Sequence, residues 1–341
     1  MSPASGPDNP SLFFTGPGAA EVRSLAVPRP GRDEVLIRTR RSLVSTGTEL
    51  TVLSGTAGGE EWRALGRYPF QPGYANAGEV LAVGEGVDPS WLGARVHNHG
   101  KHQAYTLSAA DRLARIPDGV GDEEAVFTTL AKVAMNGLRR VAATWGESMA
   151  VVGLGLLGQL TCRLAAVIGL GPVFAAEPSV YRRGLLPERP GLHPWGAGLA
   201  ELAAEIRERN RGRLADLVVE ATGDPDLLPQ ELQLLRNQGR FLVLSSPRGA
   251  SRFDFHDLCN RRSLTLVGAH GFSHPGVATP DNPWTSARHG ELFLDLLAAG
   301  AVETASLVSH RFPYSRAPEA YELLRAARAG GGEAMGVIFE W

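Results

Sequence analysis

The first third of the chain is built from short runs in which apolar and polar positions alternate: EVLIRTRRSLV (34–44), AGEVLAVGEGV (77–87), ARVHNHGKHQAYTLS (94–108) and RLARIP (112–117). Alternation turns one face of each run inward, and turn residues punctuate the ends, so the pattern predicts short strands of an antiparallel, barrel-like domain. At Asp122 the period changes. DEEAVFTTLAKVAMNGLRRV (122–141) has helical spacing, an acidic first turn and basic residues near its end, which predicts a long helix leading into a second domain. There SMAVVGLGLLGQLTCRLAAVIGL (148–170) reads as a buried strand, a glycine turn and a helix. GPVFAAEPS, DLVVEATG, GRFLVLSSP and LTLVGAHG follow as further strands with helical segments between several of them, the rhythm of a parallel, doubly wound sheet. The tail 307–341 returns to strand, helix and strand and is expected to pack on the first domain. The expected organisation is α/β, with residues 1–124 completed by 300–341 as one domain and 125–299 as the other.

Composition narrows the partners. A chain of 341 residues favours two domains over one. With 43% apolar and 21% charged residues and a net charge of −2, it has no general attraction for nucleic acid or anionic membranes, so small molecules are the expected partners. No run reaches the roughly 18 apolar residues of a membrane span, and MSPASGPDNP lacks the basic and apolar regions of a secretory signal; the expected location is the cytoplasm. Two cysteines, Cys162 and Cys259, form neither a disulfide framework nor a four-thiolate zinc lobe.

Gly153-Leu154-Gly155-Leu156-Leu157-Gly158 fits G-x-G-x-x-G, a weak pattern alone. Its context strengthens it: the apolar strand MAVV precedes it, an apolar helix follows, and Glu177 ends the next strand at the offset expected of an acid that binds ribose hydroxyls. The glycines admit a pyrophosphate to the backbone, and the helix N-terminus supplies partial positive charge. Glu177 repels a 2′-phosphate and so favours NAD over NADP. Arg182 and Arg183, just beyond it, argue the other way and keep NADP possible. Thr222, Ser245 and His270 end later strands on the cofactor side of such a sheet.

These motifs resemble the medium-chain dehydrogenase/reductase superfamily over nearly the whole chain. The resemblance implies a GroES-like β-barrel joined to a Rossmann sheet and hydride transfer with a nicotinamide cofactor. It also implies a homodimer in which the strand near Leu264 to Val267 pairs across subunits. In the zinc enzymes of that superfamily, a motif like C-x-T-D-x-H-x-x-x-G brings the first metal ligand; TGTELTVLSG matches it with Thr46 in place of cysteine. Gly73-Tyr74-Ala75-Asn76-Ala77-Gly78 matches G-H-E-x-x-G, so Tyr74 replaces the second ligand, and counting back from Gly153 puts Thr128 at the third. Neutral hydroxyls are poor zinc ligands, which leads to a metal-free site. The four-cysteine lobe is absent as well. His97, His99 and His102 do not make an evident three-point metal site, since His102 lies beyond a turn. The STGTE signature (45–49) with these replacements looks like a metal-free branch that includes bacteriochlorophyllide and cyclitol dehydrogenases of bacterial secondary metabolism.

Without a Lewis acid, the charge on a reacting oxygen needs a proton donor. Tyr74 places a phenol at a former ligand position; its alternative is an aromatic packing residue. Glu49 matches the acid that orients the ligand replaced by Tyr74, and so holds the phenol, tunes it, or caps local backbone. Lys132 interrupts an apolar helix face at a position the resemblance puts near the nicotinamide. It protonates the substrate oxygen, holds an acidic group, or snorkels at the helix edge. Thr48 matches a hydroxyl of the superfamily's proton relay, which Thr51 shortens by standing where a histidine is common. Thr46, Asn76, His99 and Thr128 are the expected substrate contacts. The leading expectation is a zinc-independent dehydrogenase or ketoreductase of a polar, cyclic secondary alcohol or ketone. An NADPH-dependent alkene or quinone reductase and a catalytically inactive nucleotide-binding protein are the alternatives.

Overall fold

In a computed structural model, residues 8–56 and 60–341 are described. The chain divides into two compact units: the described residues up to Thr129 together with Gly290–Trp341, and Leu130–His289. Both divisions fall inside helices, Thr128–Arg140 and Ser286–Ala298, so no turn or change of composition in the sequence marks them.

The first unit opens with a hairpin of β1 (Asp8–Gly16) and β2 (Ala19–Ala26). The long strand β3 (Glu34–Leu43) then pairs antiparallel with β4 (Asn76–Val83), which pairs with β5 (Arg95–Asn98). β6 (Tyr105–Ala109) also pairs with β3, and β7 (Ala114–Arg115) with β5. The alternation is visible in burial: Val35 and Ile37 are fully enclosed while Arg38 lies exposed.

The second unit carries six parallel strands: β8 (Met149–Val152), β9 (Val173–Ala176), β10 (Leu192–Trp195), β11 (Ala215–Glu220), β12 (Leu235–Val243) and β13 (Thr265–Gly268). Their order, β10-β9-β8-β11-β12-β13, reverses direction between β8 and β11. That is the Rossmann arrangement, and the crevice outside the strand ends at such a reversal is where these sheets bind ligands.

The chain closes with β14 (Val308–Pro313), the helix Ala317–Arg328 and β15 (Gly336–Glu340), and β15 pairs antiparallel with β3. The core that results joins Leu12 and Phe14 of β1 to Leu50 and Leu53 of the helix Thr46–Ser54 and to Tyr321, Leu324 and Phe339. Burying each such apolar side chain stabilises the fold by about 1.5–3 kcal/mol. The architecture is the expected α/β class, with a Rossmann sheet and an antiparallel-rich, GroES-like sheet.

One expected element differs. The long helix from Asp122 is two helices, Asp122–Ala125 and Thr128–Arg140, interrupted by a turn. The Thr128 hydroxyl donates to the Ala125 carbonyl at 2.7 Å and holds that turn.

Candidate functional site

In the first unit, STGTEL forms the start of the helix Thr46–Ser54, with Ser45 at its N-cap. An N-cap serine ordinarily turns its oxygen onto the next backbone N–H groups. Here Ser45 makes no such bond, because its Oγ is taken by the Tyr74 phenol. The phenol oxygen also lies 3.3 Å from Thr48 Oγ1. Burial raises the phenol's pKa, against the opposing pull of the two hydroxyls, and Glu49 raises it further. Tyr74 is therefore a proton-carrying phenol at neutral pH, held among hydroxyl groups.

Of the three roles expected for Glu49, it makes no direct bond to the phenol, but it caps local backbone and raises the phenol's pKa. Glu49 is 1% exposed, and its carboxylate accepts the Ser45 N–H (2.8 Å), the Tyr321 hydroxyl (2.5 Å) and His102 Nε2 (3.2 Å). It reaches the phenol only through Ser45. The Tyr321 ring is locked edge-on against Phe14 at 5.0 Å, so the hydrophobic core itself delivers this hydroxyl. His102 is fully enclosed; its Nδ1 lies 2.8 Å from Ser42 Oγ, which also accepts from the Trp341 indole at 2.8 Å.

Two of the expected substrate contacts are enclosed. Asn76 is fully enclosed, and its amide donates to the Lys101 carbonyl at 2.9 Å, anchoring a turn. Thr128 is likewise enclosed, its hydroxyl on Ala125. Thr46 is partly exposed at the first helical position, and His99 is exposed beside buried His97 with ring centres 5.4 Å apart. The Thr51 hydroxyl donates to the Gly47 carbonyl within its own helix.

The donor set does not suit zinc. Of the three positions that carry ligands in zinc dehydrogenases, Thr46 is a hydroxyl, Tyr74 a phenol engaged by Ser45, and Thr128 a hydroxyl engaged by a carbonyl. Zinc requires about three thiolate, imidazole or carboxylate ligands. Among the described residues, no group of three or more His, Cys, Asp or Glu side chains is placed to hold a metal.

In the second unit, the glycine turn after β8 shows why each glycine is there. Gly153 has φ +92°, and a Cβ on it would meet Ala221 and Thr222 at 2.9 Å, at the end of β11. Gly155 has open space where its Cβ would be. A Cβ on Gly158 would run into the Gly153 carbonyl, so the helix Leu156–Val167 can approach the turn only without a side chain there. The first N–H groups of that helix, from Leu156, Leu157 and Gly158, lack helical partners. A strained turn, an open face and unpaired amides fit a dinucleotide pyrophosphate.

Glu177 is nearly enclosed and accepts Leu154 N–H (3.0 Å) and Ser179 N–H (3.1 Å), tying the acid to the glycine turn. Arg182 Nη1 stands 3.5 Å from the same carboxylate. Arg183 is committed to the backbone, donating to the Glu177 and Pro178 carbonyls. Thr222 and Ser245 meet on one acid at the end of β11: buried Glu220 accepts the Thr222 hydroxyl (2.8 Å), the N–H groups of Thr222 and Gly223 (2.7 Å each) and the Ser245 hydroxyl. Their hydroxyl protons point at Glu220, so oxygen lone pairs are what they offer a ligand.

Lys132 is 6% exposed, and burial pushes its amine down to about 8. Along its helix, Asn136 donates to Ser273 Oγ at 2.8 Å and Arg139 donates to His289 Nε2 at 3.0 Å. Because guanidinium only donates, His289 must offer its other nitrogen's proton to His274 Nε2 (3.0 Å), and His274 in turn donates to the Gly271 carbonyl (3.0 Å). Desolvation, reinforced by neighbouring positive groups, drives His289 down to about 3. These bonds fix the loop after β13, on which exposed His270 sits.

Residues 157–283 match the family model described as zinc-binding dehydrogenase. The L-threonine 3-dehydrogenase of Pyrococcus horikoshii is 28% identical over 94% of this chain and 96% of that protein. The D-guloside 3-dehydrogenase of Escherichia coli is 26% identical over 74% of this chain and 73% of its own length. A dehydrogenase of Escherichia coli solved with NADH superposes with TM-score 0.81 at 17% identity, covering 98% of this chain and all of that one. These likenesses support the medium-chain dehydrogenase/reductase superfamily.

Proposed function

We propose that this chain, an NAD(P)-dependent oxidoreductase of the medium-chain dehydrogenase/reductase type, interconverts a polar secondary alcohol and its ketone with NAD(H) and without zinc. The observation that carries the reading is the bonded hydroxyl cluster Tyr74–Ser45–Thr48, in which Tyr74 stands at a position matched to a metal ligand and carries a phenol proton. The matched family model is named for zinc, yet residues 157–283 include none of the three ligand positions.

When bound, the nicotinamide supplies or takes up the hydride. The amides of Leu156, Leu157 and Gly158 would hold its pyrophosphate and Glu177 its ribose hydroxyls, which favours NAD; a structural neighbour carries NADH. Tyr74 gives its proton to the developing alkoxide, and the hydroxyls of Ser45 and Thr48 hold the phenol oxygen as its charge changes. Lys132 is the second proton-donor candidate, or the group that holds an acidic substituent. A polar, polyhydroxylated substrate is supported by the hydroxyl-rich cluster and by the substrates for which two relatives are named, threonine and a guloside. A homodimer paired through β13 is supported by the position of that strand at the sheet's edge, where Leu266 is 39% exposed.

The test is a panel of cyclic polyols, sugar-like ketones and conjugated enones, with NADH and NADPH followed by absorbance. Turnover of polar alcohols or ketones supports the proposal. Turnover confined to enones with NADPH overturns it in favour of alkene reduction, and tight cofactor binding without any turnover overturns it in favour of an inactive binding protein.

A further inference from the structure

The chain Trp341–Ser42–His102–Glu49, enclosed from Ser42 inward, has only one fully satisfied polarity. An indole nitrogen donates and never accepts. The Trp341 indole therefore fills one lone pair of Ser42 Oγ. Ser42 is fully buried, and the other group within reach of its oxygen is His102 Nδ1, at 2.8 Å. Pointing the hydroxyl proton at Nδ1 leaves no donor idle and makes Nδ1 an acceptor. The His102 proton then sits on Nε2, facing both Glu49 oxygens at 3.2 and 3.3 Å. Glu49 completes its shell with the Tyr321 hydroxyl and passes the constraint to the Ser45 N–H, and the Ser45 hydroxyl meets the Tyr74 phenol. His102 is further clamped from both sides: Phe339 stacks edge-on at 5.1 Å, and Gly73 packs so closely that its missing side chain is what makes room for the ring.

We propose that His102, held as the Nε2–H tautomer between Glu49 and Ser42, is a positioning residue for Tyr74, acting through Glu49 and Ser45. It touches no substrate. Its task is to fix the acid that fixes the helix start on which the phenol rests. The functional half of the inference rests on the reading of Tyr74 as proton donor; the tautomer does not.

The experiment uses the full chain labelled with ¹⁵N-histidine. In long-range proton–nitrogen spectra at neutral pH, one imidazole is expected to show a protonated Nε2 and a bare Nδ1, and to vanish in His102→Gln, which assigns it. In Trp341→Phe, which keeps a ring on Tyr314 but removes the N–H, Nε2 is expected to keep the proton that the acceptor-only Glu49 carboxylate requires, while the Nδ1 resonance shifts as Ser42 loses its indole donor. A His102 that carries its proton on Nδ1, that carries two protons, or that ignores Trp341→Phe overturns the proposal.

The kinetic arm compares His102→Leu with His102→Gln, whose amide still donates to Glu49. A fall in kcat of about tenfold or more in the leucine variant, with cofactor KM unchanged and recovery to within about threefold in the glutamine variant, marks a positioning role. Equal kcat in both variants overturns it. A wild-type chain that turns over no alcohol or ketone defeats the functional reading instead, while the spectra still decide the tautomer.

Discussion

Gly73 and His102 are packed against one another so tightly that a Cβ on Gly73 would collide with the His102 backbone nitrogen and stand 2.8 Å from its ring Cγ. Gly73 also has φ +101°, a conformation that side chains disfavour. Only a glycine therefore fits at position 73 beside this histidine. Gly73→Ala combines backbone strain with overpacking and should destabilise the protein by about 3 kcal/mol. A fall in melting temperature on the order of 10 °C is the expected result; an unchanged melting temperature would count against the packing described.

Lys132 predicts a pH dependence. Its amine titrates near 8, lowered by burial. If it donates the proton in ketone reduction, it must be charged, so the reductive rate should be full below that pH and fall as pH rises through about 8. Alcohol oxidation needs the neutral amine and should rise through the same range. Lys132→Met should remove that limb and lower turnover by about 10². A profile whose limb survives in Lys132→Met would assign the titration to another group.

Glu177 predicts the cofactor. Both of its oxygens are held by backbone N–H groups, so its charge cannot easily turn away from a 2′-phosphate. NADH should bind tighter than NADPH by about tenfold or more, one displaced unit of like-charge repulsion. Glu177→Gln should narrow that ratio. Fluorescence titration of both cofactors measures it, and tighter NADPH binding by the wild type would mean that Arg182 overrides the acid.

The exposed edge of β13 predicts association. Light scattering at micromolar concentration should give twice the chain mass, and Leu266→Arg should lower it. A wild-type monomer would contradict pairing through this strand.

The parts legible in the sequence were those written locally. The Rossmann sheet follows from a strand, three glycines and an acid within one βαβ stretch, and each glycine's role is visible in the space around it. The hydroxyl cluster was half legible: Tyr74 and Thr48 stand in motifs, but Ser45 looks like an ordinary N-cap until the phenol occupies it. The partners of Glu49 were out of reach, because His102 lies 53 residues and Tyr321 272 residues away, and only the β3–β15 pairing and the hydrophobic core bring them in. The bonds of Asn76 and Thr128 are hidden for a different reason. Their motif positions point to a ligand, and the carbonyls of Lys101 and Ala125 that take their donors become visible only in the fold.

In the proposed reaction, protons come from side chains and not through zinc. Tyr74→Phe, which removes only the phenol oxygen, should lower turnover by about 10² while cofactor affinity holds. The most direct measurement is turnover after exhaustive chelation, with the metal content determined on the same sample. Full activity with metal far below one equivalent per chain is the predicted result; activity that disappears on chelation and returns with one equivalent of zinc would contradict it.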